Sequence, residues 1–137
     1  MTRFFLVSAF SLMIAGAAHA QSCPDSFLIE GTPMLTVVNY RAHQVFPGQS
    51  QAAAVQRLAS AVSAEGFSGI RVQKGVGAVS AVQETSGSGR PQTLRVVARK
   101  SGKGVRVDAL FSVQIGQMAD TGATRAALCR IVSAAGD

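Results

Sequence analysis

Tryptophan is absent from this chain of 137 residues, tyrosine occurs once, and aromatic residues make up only 6% of it. Charge is sparse too, at 15%, with 7 acidic side chains against 13 basic ones. There are 2 histidines and 2 cysteines. Each shortage excludes something. A metal centre needs clustered His, Cys, Asp or Glu, and His43, two distant cysteines and scattered acids supply no such cluster, so neither metal nor cofactor is expected. A Ser-His-Asp site could draw only on His43, and no serine sits in a G-x-S-x-G elbow. With no aromatic residues interleaved among the arginines, the strands lack the stacking platform of a single-strand nucleic-acid binder. A disordered chain is excluded as well, because 47% apolar residues with so little charge can bury a core.

Long apolar runs are missing except at the start. Arg3 precedes an apolar run from Phe4 to Ala15, and small residues follow up to Ala18-His19-Ala20. This order of charge, short apolar run and A-x-A site is that of a secretory signal peptide over residues 1–20, cut between Ala20 and Gln21. The run is too short for a membrane span, which needs about 20 residues. Cys23 follows Ala20-Gln21-Ser22, a poor match to a lipid-attachment site, so a soluble exported product, periplasmic or secreted, is expected. Its 117 residues would keep 12 of the basic residues and all 7 acids. The isoelectric point of about 10.4 is therefore expected of the exported product.

The two cysteines, Cys23 and Cys129, allow one intramolecular pairing, and export makes a structural disulfide the expectation. No C-x-x-C spacing suggests redox chemistry. The bridge would tie a leader of residues 21–33 to the last helix of a single α+β domain over residues 34–137.

Glycine and proline divide that domain into short periodic segments. Leu35 to Val45 is rich in Val, Thr and Tyr and ends at Pro47-Gly48, the pattern of a strand, with Met34, Thr36, Val38, Tyr40, Ala42 and Phe46 mostly on one face. Ser50 opens a helix to about Glu65, with Ala54, Val55, Leu58, Ala61 and Val62 at helical spacing and Gly66 as its stop. Ile70–Lys74, Ala78–Glu84, Thr93–Arg99 and Val105–Ile115 read as further strands. The polar stretch Thr85–Pro91 reads as a mobile loop tip, and a final helix runs from about Ala123 to Ala135. Across the last hairpin, alternation allows two registers. Arg95 opposite Asp108 is expected over Arg99 opposite Arg106, where like charges would repel.

The order β-α-β-β-β-β-α implies a two-layer fold, an antiparallel sheet of four to five strands covered on one face by two helices. In topology it resembles the helix-grip domains of outer-membrane assembly lipoproteins and, without the last helix, the cystatins. In the cystatin resemblance, Gln73-Lys74-Gly75-Val76-Gly77 would occupy the first inhibitory hairpin, where that family carries Q-x-V-x-G; Gly75 departs from the pattern, and a Pro-Trp second loop is absent. Gly75-Val76-Gly77-Ala78-Val79-Ser80 lacks the third glycine and the following Lys-Thr of a phosphate loop and reads as a tight turn.

Basic residues remain as the feature that suggests a partner. Arg71, Lys74, Arg95, Arg99, Lys100, Lys103 and Arg106 fall in or beside the expected hairpins. Arg71, Arg95, Arg99 and Arg106 are the candidates for a surface that meets an envelope protein, an anionic polysaccharide or lipid headgroups, rather than nucleic acid. An ordinary solubilising face is the competing reading. The expected function is that of an exported, non-catalytic binding or assembly module; a cystatin-like protease inhibitor and a small hydrolase are the alternatives.

Overall fold

The computed structural model describes residues 22–84 and 89–137. The expected signal peptide, its cleavage point between Ala20 and Gln21, and residues 85–88 of the Thr85–Pro91 loop lie outside the described residues.

The described chain runs α1 (Cys23–Ser26), β1 (Leu28–Glu30), β2 (Val38–Phe46), α2 (Gln51–Ala64), β3 (Ser68–Gln73), β4 (Ala78–Gln83), β5 (Gln92–Ser101), β6 (Gly104–Val113) and α3 (Thr121–Ala134). All six strands form one antiparallel sheet in the order β1-β2-β6-β5-β4-β3. From β2 onward the order is the expected β-α-β-β-β-β-α, and the fold is α+β. It differs in having a sixth strand and a one-turn first helix.

Local chemistry sets the helix ends. The Ser50 side chain accepts a hydrogen bond from the Ala53 amide and caps α2, and Asp120 does the same for α3 through the Ala123 amide at 2.7 Å. Gly66, at φ 86°, turns the chain out of α2. Phe67 then packs back, its ring edge-on to Phe111 with centroids 5.8 Å apart.

Both long helices lie on one face of the sheet, α2 over β3 to β5 and α3 over β2 and β6. Strand alternation supplies the sheet side of the core: Val38, Tyr40 and Ala42 from β2, Leu94, Val96 and Ala98 from β5, and Val105, Val107, Ala109, Phe111 and Val113 from β6. Leu58 and Val62 of α2, with Leu128, Ile131 and Val132 of α3, close it from above.

Three expectations need correction. Residues 22–33, expected as a leader outside the domain and tied to it by the disulfide, also contribute a helical turn and a strand of the sheet. Pro24 sits in the first turn of α1, and β1 pairs with β2, placing Leu28 opposite Arg41 and Glu30 opposite Asn39. Ser26 locks the two together, since its hydroxyl accepts from the His43 amide at 2.8 Å and lies 2.7 Å from the His43 carbonyl oxygen. The Cys23–Cys129 disulfide, with Cα atoms 5.5 Å apart, joins α1 to α3. The folded unit therefore begins at α1, before residue 34.

The second correction concerns the start of β2, which is Val38 rather than Leu35. Pro33 fixes its own backbone, Met34 turns to φ 69°, and the Thr36 hydroxyl accepts from the Thr32 amide at 2.8 Å, so the chain is held in a turn instead of an extended strand. Met34 and Thr36 consequently do not join the buried face.

Third, the last hairpin adopts the other register: Arg99 lies opposite Arg106, and Arg95 faces Leu110. A two-residue turn at Gly102-Lys103 fixes it, with Ser101 paired to Gly104 and Gly102 at φ 57° in the first central position, as a type II′ turn requires. The expected repulsion is cancelled locally. Asp108 lies two residues from Arg106 on the same face and accepts hydrogen bonds from both arginines.

Candidate functional site

The face of the sheet away from the helices carries no covering element among the described residues. Cross-strand register arranges its side chains in transverse rows. One row reads Arg71, Ser80, Arg95, Leu110, Arg41 and Leu28 from β3 to β1. Beside it run Gln73, Ala78, Val97, Asp108 and His43, and beyond these Arg99, Arg106 and Val45. All four arginines singled out from sequence, Arg71, Arg95, Arg99 and Arg106, thus share this face. Arg41, a fifth, joins them. Its position gave the signal, because it alternates with the buried Tyr40 and Ala42.

The five guanidinium groups are not equivalent. Arg41 pairs with Glu30, Nε to Oε2 at 2.6 Å. Arg99 and Arg106 share Asp108, with Nη2–Oδ distances of 2.7 and 2.9 Å. Burial disfavours the charged form of Asp108, yet hydrogen bonds from Arg106 and Arg99 outweigh it and hold the carboxyl below its ordinary range. The hydrogen bond to Asp108 raises Arg106 in turn, against a smaller desolvation effect. Arg71 and Arg95 have no ion-pair partner among the described residues.

Between Arg41, Arg95, Arg99 and Arg106 lies an open trough of about 500 Å³. Leu28, Val97 and Leu110 contribute apolar surface to it, and Arg41, Arg95, Arg99 and Arg106 contribute charge. Arginine forks match carboxylate and phosphate groups geometrically, so the arrangement suits anions.

His43 also lines the trough, opposite Asp108. Both Asp108 oxygens are already engaged by arginines. Ser26, the serine of the same trough, has a buried hydroxyl held against the Cys23 and His43 carbonyl oxygens, 2.8 and 2.7 Å away. Serine, histidine and acid therefore occur in one region without the nucleophile–base–acid hydrogen-bond chain of covalent catalysis.

The segment compared with an inhibitory hairpin is short and anchored. Lys74–Val76 form one 3-10 turn, and the Gly77 carbonyl accepts from the Ala98 amide at 2.8 Å. Gly77, at φ 68°, packs so closely on the Ala98 carbonyl and Gln51 that any side chain there would clash.

A second surface was not anticipated. Met34, Leu35 and Val37 in the β1–β2 loop and Ile115 and Met118 in the β6–α3 loop are exposed large apolar residues. The pairing of Val38 with Val113 puts both loops at the same end of the sheet.

No helix among the described residues is long and apolar enough to cross a membrane. No protein-family model matches the chain, and no curated protein is significantly similar to it.

Proposed function

We propose that this protein is an exported, non-catalytic binding module that takes an anionic partner on the uncovered face of its sheet. One observation carries the reading: five arginines, Arg41 of β2, Arg71 of β3, Arg95 and Arg99 of β5 and Arg106 of β6, face outward against two carboxylates, Glu30 and Asp108. A face that served solubility alone would be expected to intersperse both signs more evenly. Concentrating one sign raises the local concentration of the other and speeds encounter. The disulfide supports an oxidising compartment.

The test is retention of the oxidised protein, residues 21–137, on an immobilised anionic polymer, with salt required for elution as the readout. Arg71→Glu with Arg95→Glu should abolish retention while the circular dichroism spectrum stays unchanged. Undiminished retention of a folded double variant would remove this face from the function.

A further inference from the structure

We infer that the ligand of this face is a linear acidic polysaccharide, lying across the strands on the row that contains Arg71, Arg95 and Arg41. The inference rests on the anion-binding reading above and names its ligand class.

The row has a regular geometry. Neighbouring strands lie about 4.8 Å apart, so arginines on alternate strands recur about every 10 Å and span about 20 Å from Arg71 to Arg41. The intervening residues, Ser80 and Leu110, are small or neutral, and the row contains no carboxylate. Both acids of the face lie in neighbouring rows, Glu30 beside Asn39 and Asp108 beside His43. The row from β3 to β2 therefore carries three arginines, of which Arg41 is paired with Glu30.

Its period and shape select among anions. In a ribbon-like polyuronate each sugar advances the chain by roughly one strand spacing, and alternate sugars turn the same side outward. Carboxylates on that side recur at two strand spacings, the interval between the arginines. Arg95 and Arg71, which have no ion-pair partner among the described residues, would bind them; Arg41 would exchange its bond to Glu30 for one to the ligand. Beside Arg41, Leu110 and Arg95 the surface is a trough rather than a plane, which suits one extended chain better than a bilayer. Nucleic acid would need stacking platforms for its bases, and the outward residues of these rows include no Phe, Tyr or Trp.

The experiment is a binding titration of the oxidised protein, residues 21–137, with oligogalacturonates of increasing length, beside neutral dextran, oligothymidylate, polyglutamate and anionic phosphatidylglycerol vesicles. Affinity should rise with length until the chain spans all three arginines and fall with added salt. Arg71→Ala with Arg95→Ala should weaken it about tenfold, whereas Arg130→Ala, on α3, should leave it unchanged. If the double variant binds as the wild type does, or if oligothymidylate, polyglutamate or vesicles bind more tightly than oligogalacturonate, the polysaccharide inference is overturned. In the latter case, loss of that tighter binding in the double variant would leave the anion-binding face standing. If no anion binds better than dextran, both readings fall together.

Discussion

Along β5, Leu94, Val96 and Ala98 point into the helical layer and are sealed from solvent, whereas Arg95, Val97 and Arg99, one position out of step, look the other way. β6 repeats the contrast, with Val105, Val107, Ala109, Phe111 and Val113 inside and Arg106, Asp108, Leu110 and Ser112 outside. The same backbone thus builds two surfaces with different physics. Inside, medium-sized apolar side chains are packed against two helices, and the stabilisation comes from removing them from water. Outside, charges remain hydrated, so each contributes little to stability and retains its capacity to meet a ligand. Stability should therefore depend on the helical side of the sheet and binding on the open side.

The largest expected effect comes from the covalent tie on the helical side. Cys23 and Cys129 lie 106 residues apart, so their bridge restricts nearly the whole described chain when unfolded. In the loop-entropy model its removal costs roughly 4 to 5 kcal/mol. Cys23→Ala with Cys129→Ala should shift the urea midpoint of unfolding accordingly. A shift no larger than that of a surface substitution would mean that α1 and β1 are held by their other contacts.

A matched pair of leucines sharpens the contrast. Leu94, 1% exposed, lies over the core, while Leu110 on the adjacent strand is half-buried on the outer face. Leu94→Ala should cost about 3 kcal/mol, through lost burial and a cavity, and Leu110→Ala under about 1 kcal/mol. Equal costs in denaturant titrations would show that the outer face is packed against something.

This inside–outside division was the part of the fold most legible in the sequence. Alternation assigned the faces of β6 from Val105 to Val113, though not as far as the exposed Ile115, and the helical spacing of Ala54, Val55, Leu58 and Val62 marked the buried side of α2. The same alternation set Arg95, Arg99 and Arg106 against the apolar side of the last hairpin, whereas the position of Arg71 on the same face follows from the register of β3, β4 and β5. β1 escaped notice because three residues, Leu28 to Glu30, are too few to display a period. The hairpin register escaped for another reason. Pairwise repulsion between Arg99 and Arg106 argued against it, but Asp108 accepts from both, and a diagonal contact of that kind cannot be read from which residues lie directly opposite. Alternation with Tyr40 and Ala42 could have marked Arg41 as outward-facing, but its place beside Leu110 depends on β2 neighbouring β6, a fact of topology.

Asp108 is where the open face does contribute to stability, and it does so with a pH signature. Its folded pKa is depressed, so its contribution is complete above the ordinary aspartate value of about 3.9 and is lost as pH falls through the lower folded value. Asp108→Asn should cost about 0.5 to 1 kcal/mol at pH 7, allowing for solvent screening of the partly exposed Arg99 and Arg106. The variant should also lose part of the wild-type decline in stability below about pH 4. A parallel decline in both proteins, followed by urea unfolding at pH 7 and pH 3, would assign the acid sensitivity to other carboxylates.

The smallest expected effect on stability is at Arg95, and there the two faces separate most cleanly. Its side chain is exposed, has no ion-pair partner among the described residues, and sits between Ser80 and Leu110 in the cationic row. Removing it deletes no buried surface and breaks no charge pair, so Arg95→Ala should change unfolding free energy by less than about 0.5 kcal/mol. Self-repulsion within a face of five arginines makes a slight gain in stability the expected sign, greater at low salt than at high salt. The same substitution removes the middle cation of the three, the one that any chain contacting both Arg71 and Arg41 must cross. Binding should therefore fall while the melting temperature holds or rises. Such an inverse relation is the mark of a residue kept for recognition, and a melting temperature that dropped together with affinity would instead place Arg95 in the architecture of the sheet.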